Sequence, residues 1–85
     1  MNDNFDDLIE LSDFYILSQK FEEAIKVLKK AEKINKVVPK LYYNLGIAYE
    51  ALSERMQARD SFRLALKIDP NFRSAQEHLD KLIEE

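Results

Sequence analysis

Apolar residues fall along the chain in five sets, each spaced three and four apart. The first is Phe5, Leu8, Leu11, Phe14, Tyr15 and Ser18, the second Phe21, Ala24, Ile25, Leu28, Ala31 and Ile34. The third is Tyr42, Leu45, Gly46, Tyr49 and Leu52, the fourth Ala58, Phe62, Ala65, Leu66 and Ile68, and the fifth Ala75, Leu79, Leu82 and Ile83. This spacing follows the turn of an α-helix and buries one stripe per helix. Between the sets lie short polar breaks: Ser18–Lys20, Asn35-Lys36 before Pro39, Ser53–Arg55, and Asp69-Pro70-Asn71. Pro39 disfavours helical geometry at Val38 and suits the first turn of a new helix. Asp3 or Asn4 can cap the first helix, and Asn71 or Ser74 can start the last. The pattern predicts five helices with no strand, and connections this short pack sequence neighbours antiparallel.

Laid on itself at an offset of 34, the sequence puts Leu11 on Leu45, Tyr15 on Tyr49, Ala24 on Ala58, Ala31 on Ala65, Lys33 on Lys67 and Ile34 on Ile68. Small residues meet small ones and large meet large, as Leu28 meets Phe62. A fixed period of two helices marks a repeat architecture, in which each unit needs a neighbour to bury its apolar stripe. Repeat one spans 5–38, repeat two 39–72, and a lone capping helix 73–85, within one domain over 1–85.

Repeat two carries a large aromatic, Leu-Gly, Tyr, Ala, a bulky residue, Ala and Pro at set distances: Tyr42, Leu45-Gly46, Tyr49, Ala58, Phe62, Ala65 and Pro70. In this it closely resembles the tetratricopeptide repeat family. Repeat one keeps Leu8, Leu11, Tyr15, Ala24, Leu28 and Ala31, but has Ser12 for the Gly and Lys36 for the Pro. The resemblance implies an all-α solenoid, a right-handed superhelical stack of antiparallel helix pairs whose first helices line a concave face. It also gives a reason for Gly46, which as a mid-helix glycine is unfavourable by about 1 kcal/mol relative to Ala. The fold brings the two helices of a unit close together, and Gly46 is expected to face Ala58 or Phe62 there. Ser12 is expected to do the same job less well in repeat one.

Composition narrows the function. With no Cys among 85 residues, disulfides, thiolate metal sites and a Cys nucleophile are excluded. The net charge of −3 argues against general nucleic-acid binding. No apolar run is long enough to span a bilayer, and the acidic beginning MNDNFDDLIE is unlike a secretory signal. A cytoplasmic location without membrane attachment is therefore expected. Asp3, Asp6, Asp7, Glu10 and Asp13 make the start acidic, and Lys26, Lys29, Lys30, Lys33, Lys36 and Lys40 make residues 26–40 basic. Both runs read first as solvated helix surface suited to the helix dipole.

Catalytic chemistry is sparse. His78 is the one histidine, no second His stands four residues away, and there is no Gly-rich phosphate loop. No nucleophile is paired with an oriented base. The chain is expected to be no enzyme and to need no cofactor or metal.

What remains is the groove that the family resemblance implies. Carried over residue by residue, its contact positions are Ile9, Asp13 and Ile16 in repeat one, Tyr43, Asn44, Ile47 and Glu50 in repeat two, and Ser74, Glu77, His78 and Lys81 on the last helix. Asn44 is the usual Asn of this surface, able to donate to and accept from a peptide backbone. Members that clamp the carboxylates of chaperone tails use a set of Lys, Asn and Arg. Here Ile9, Asp13, Ser74 and His78 fill the other places of that set, so the cations are missing. Apolar Ile9, Tyr43 and Ile47 beside acidic Asp13, Glu50 and Glu77 suit a protein or peptide segment with apolar anchors and basic flanks. The expected role is a protein-binding adaptor or scaffold. The alternative is a structural module that self-associates as a weak homo-oligomer through its exposed ends, with Phe5 and Phe14 exposed at the first, or through the groove, or a part of a longer repeat array.

Overall fold

The computed structural model describes residues 4–84 and consists of five helices: α1 (Phe5–Leu17), α2 (Phe21–Ile34), α3 (Pro39–Ala51), α4 (Arg55–Ile68) and α5 (Arg73–Glu84). Each packs on the next along the chain, and α1 also reaches α3. The stack is elongated, 43 × 25 × 17 Å. Among the described residues it is a helical solenoid without strands, as the periodicity predicts.

The helix boundaries follow local chemistry. The Asn4 side chain caps α1 by accepting the Asp7 N–H at 2.8 Å, which satisfies one of the donors a helix start leaves open. The other expected cap, Asp3, lies outside the described residues. Pro39 opens α3 with Val38 extended before it. For α5 neither expected starter holds the place, because its first backbone bond runs from the Gln76 N–H to the Phe72 carbonyl.

The repeat extends to single hydrogen bonds. After α1, Gln19 N–H donates to the Ile16 carbonyl and Lys20 N–H to that of Tyr15; after α3, Ser53 N–H donates to Glu50 and Glu54 N–H to Tyr49. This is the Schellman closure of a helix end. Its pivot residues, Gln19 and Ser53, both sit at φ 61°, a left-handed conformation that favours glycine. After α2 the Asn35 side chain accepts the Val37 N–H, and after α4 the Asp69 side chain accepts that of Asn71. All these pairs stand 34 residues apart.

A single core runs the length of the stack. Ala24, Ala31, Ala58 and Ala65 are fully buried, with Leu28, Leu41, Leu45 and Phe62 filling the volume between helices. At Gly46 a Cβ would lie 2.6–2.8 Å from three atoms of the Phe62 ring. Of the two residues expected to face Gly46, Phe62 is therefore the one that presses on it.

Some expected core positions are open. On α1 the buried stripe is Leu8, Ile9 and Ser12, while Leu11 is 37% and Phe14 59% exposed. The stripe is turned toward α2 and α3, and Leu11 and Phe14 lie on the far side of α1 at the end of the stack. Phe5, the other aromatic expected at that end, is half-buried. Ile34 is likewise exposed. On α5, Ala75, Leu79 and Leu82 face inward as expected, but Ile83 is 54% exposed because α5 has a neighbour on one side only. Arg55 Nη2 donates to the Leu82 carbonyl at 3.2 Å and fastens the end of α5 to the start of α4.

Candidate functional site

The first helices of the repeats, α1 and α3, enclose an open groove of about 430 Å³ lined by Asp13, Ile16, Leu17, Lys40, Tyr43, Asn44 and Ile47. Helical spacing puts Asp13, Ile16 and Leu17 on one side and Lys40, Tyr43, Asn44 and Ile47 on the other. The floor is largely apolar. Leu17, 85% exposed at the end of α1, is the most open large apolar side chain among the described residues.

A polar chain closes one wall. Asn44 Nδ2 donates to Ser12 Oγ at 3.0 Å and to Asp13 Oδ1 at 2.9 Å. Ser12 Oγ in turn donates to the Ile9 carbonyl at 2.7 Å. Lys40 Nζ holds the other Asp13 oxygen at 3.0 Å. The network satisfies buried polar atoms that would otherwise be costly, and it fixes α1 against α3.

Beyond α3 the surface changes character. Tyr43 stacks on Phe72 at 5.0 Å between ring centres, and His78 stacks on Phe62 at 5.2 Å. His78 Nδ1 lies 2.9 Å from Glu50 Oε1. Tyr43, Phe62, Phe72 and His78 thus form an aromatic seam that holds α5 to α3 and α4, in geometries typical of ring pairs.

The expected contact residues separate into four groups. Asp13, Ile16, Tyr43 and Ile47 line the groove. Two others are drawn inward: Ile9 is 9% exposed, turned under α3, and Asn44 is 3% exposed. The expectation that Asn44 stands open to a peptide backbone is therefore corrected, since its amide N–H groups serve Ser12 and Asp13. Glu50 and His78 are paired with each other, which ties α5 to α3. On α5, Ser74, Glu77 and Lys81 are exposed but do not line the α1–α3 groove. Of the three acids expected to attract basic flanks, Asp13 and Glu50 already have partners within the chain.

Sequence reasoning missed Leu17 and Lys40. The signal was present in both cases. Leu17 is four residues past Asp13 and Lys40 four before Asn44, so each extends a groove stripe by one turn.

On the opposite side, α2, α3 and α4 border a crevice of about 210 Å³ that includes Lys29, Glu32, Tyr42, Leu45, Ser61 and Leu64. The Tyr42 hydroxyl donates to Glu32 Oε2 at 3.0 Å. Burial first, then that hydrogen bond and the Glu32 charge, push the Tyr42 phenol above its ordinary range.

Comparison with known proteins agrees with this architecture. A family described as TPR repeat matches residues 13–53, and one described as tetratricopeptide repeat matches residues 39–72. The chain is also 34% identical over 83 residues, 95% of its length, to an Hsp70-Hsp90 organising protein of Plasmodium falciparum. A second protein of that name, from isolate 3D7, matches at the same identity. The chain spans 33% of the length of the first and 15% of the second. With one repeat type matched across residues 13–72, and turns, caps and core recurring at its period, the chain belongs to the tetratricopeptide repeat family.

Proposed function

We propose that this chain acts as a protein-binding adaptor that takes up a segment of its partner in the groove between α1 and α3. Family membership and the organising protein it resembles both support a protein–protein interaction module. The observation that carries the finer reading is the open apolar floor of the groove, Ile16, Leu17, Tyr43 and Ile47, on the side of the first helices. A floor of this kind takes aliphatic or aromatic anchors from an extended or helical segment. Asp13 and Glu50 are held by Lys40 and His78, so apolar contacts supply most of the affinity and basic flanks a smaller part.

The name of the relative raises Hsp70 and Hsp90 as partners. The residues here do not favour their acidic tails. Where a carboxylate clamp needs cations, this chain has buried Ile9, Asp13, exposed Ser74 and the paired His78.

Selection of a displayed peptide library on the immobilised chain, followed by calorimetry on the enriched peptides, tests the reading. Leu17→Asp puts a charge on an exposed position that the fold does not need. We expect apolar-anchored peptides to bind the unchanged chain and to lose at least tenfold in affinity to Leu17→Asp, about 1.4 kcal/mol. Acidic C-terminal peptides that bind tightly, or selected peptides indifferent to Leu17→Asp, would overturn it.

A further inference from the structure

Two features of the crevice between α2, α3 and α4 go beyond what packing asks. Ser61 is 6% exposed and lines it, yet its hydroxyl makes no hydrogen bond among the described residues. A buried hydroxyl without a partner is costly, and every enclosed polar side-chain atom of the described residues has one. The Ser61 hydroxyl therefore opens on the crevice, with its donor and acceptor capacity unused. Three residues on, Leu64 lines the same crevice and is 42% exposed.

The charges around the crevice are sorted along it. As second helices of antiparallel pairs, α2 and α4 point the same way, so their last turns share one edge of the stack. Lys29 and Lys33 stand near the end of α2, and Arg63 and Lys67 stand 34 residues later near the end of α4. The helix dipole accounts for a cation in each last turn, but Lys29 and Arg63 lie a further turn back. All four are exposed, and Lys33, Arg63 and Lys67 make no ion pair among the described residues. Two nearby acids are already engaged. Glu32 accepts the Tyr42 hydroxyl at 3.0 Å and faces Lys29 at 3.7 Å, and Asp69 accepts the Asn71 N–H. Asp60 also lines the crevice, one turn before Leu64, whereas Lys67 lies one turn after it. One end is therefore cationic and the other carries Asp60.

We propose that this crevice is a second binding site, for an acidic protein segment with one apolar side chain. The apolar side chain enters beside Tyr42 and Leu64, and a polar group next to it bonds the Ser61 hydroxyl. The acids of the segment then lie along Lys29, Lys33, Arg63 and Lys67. Opposed charges fix its placement, since acids at the other end would meet Asp60. A volume of about 210 Å³ takes one side chain, and the net charge of −3 disfavours a nucleic-acid strand. The site lies on the other side of the stack from the groove.

Synthetic peptides with one Leu, Phe or Tyr beside a block of Asp and Glu, amidated at the C-terminus, test it by fluorescence anisotropy. They are expected to bind, less tightly as salt rises, and to weaken on the order of tenfold when Ala replaces the apolar residue. Leu64→Asp, on an exposed position, and the pair Lys33→Glu with Lys67→Glu should each weaken binding by a similar factor. Unchanged circular-dichroism melts show that these variants still fold. Leu17→Asp should leave the affinity as it is, which separates this site from the groove. Peptides that fail to bind, that bind equally with Ala, or that ignore either the Leu64 change or the charge reversals overturn the proposal. So does loss of binding in Leu17→Asp, or a DNA strand of matched charge that binds as well, since that reads charge alone.

Discussion

The two repeats solve one packing problem with different volumes. Repeat two joins a residue without a side chain, Gly46, to a large one, Phe62, whose ring occupies the space a Cβ would need. At the corresponding places repeat one has Ser12 and Leu28, both fully buried. The first helix gains a side chain and the second loses part of a ring. Ser12 also gains an occupation: its hydroxyl links the Ile9 carbonyl to Asn44 of the next unit. A position that looks like a flawed copy of glycine in one repeat is thus a polar joint between the two. Interiors packed as densely as crystals feel changes of a single methylene, so the residue types must change in pairs.

The largest effect is expected from moving one member of that pair alone. Gly46→Ser forces a side chain against Phe62 and should cost about 2–3 kcal/mol in urea unfolding, more than the ~0.5 kcal/mol that helix propensity returns. Phe62→Leu alone leaves a cavity and also destabilises. The double change, which installs the repeat-one pair in repeat two, should recover at least about 1 kcal/mol of the summed losses. Additive losses would break the comparison.

A smaller effect tests the joint. Asn44→Ala strips a buried donor from Ser12 and Asp13 and should cost about 1–3 kcal/mol. The same change at its counterpart, the exposed Glu10, should stay within about 0.5 kcal/mol at concentrations where the chain is monomeric. Equal costs at the two sites would mean that the network does not hold α1 to α3.

The smallest effect probes what the repeats share. Gln19 and Ser53 carry the same left-handed backbone angle. Gln19→Gly and Ser53→Gly should each stabilise the chain by about 0.5–1 kcal/mol, and by similar amounts, since relief of αL strain exceeds the added chain entropy. A loss at either site would show that its side chain contributes more than its backbone strain removes.

Helix positions, the 34-residue period and the reason for Gly46 were legible because each depends on spacing along one or two helices. Orientation was less so. Ile9 and Leu11 are both compatible with an inward stripe on α1, and the choice between them depends on where α3 lies across it. Asn44 shows the same limit from another side. Its residue type suits a ligand's backbone, but its amide reaches Ser12 and Asp13, more than thirty residues earlier in the sequence. Pairings at that distance, like His78 with Glu50, are set by how units stack, and periodicity carries no trace of them. Leu17 continues the Asp13 side of the groove by one turn, but at the last residue of α1 no further turn repeats it, so the stripe is easily read as ending before it.

Packing that runs from each helix to the next, with α1 also touching α3, has a kinetic meaning. Structure can grow from any one helix pair by adding a neighbour, without first closing a long loop. Topologies of this kind fold quickly. They also come apart from their margins, because a terminal helix is held on one flank and an inner one on two. The Arg55 bond to the Leu82 carbonyl therefore acts as a latch on the last leaf of a stack that opens like a book, one page at a time.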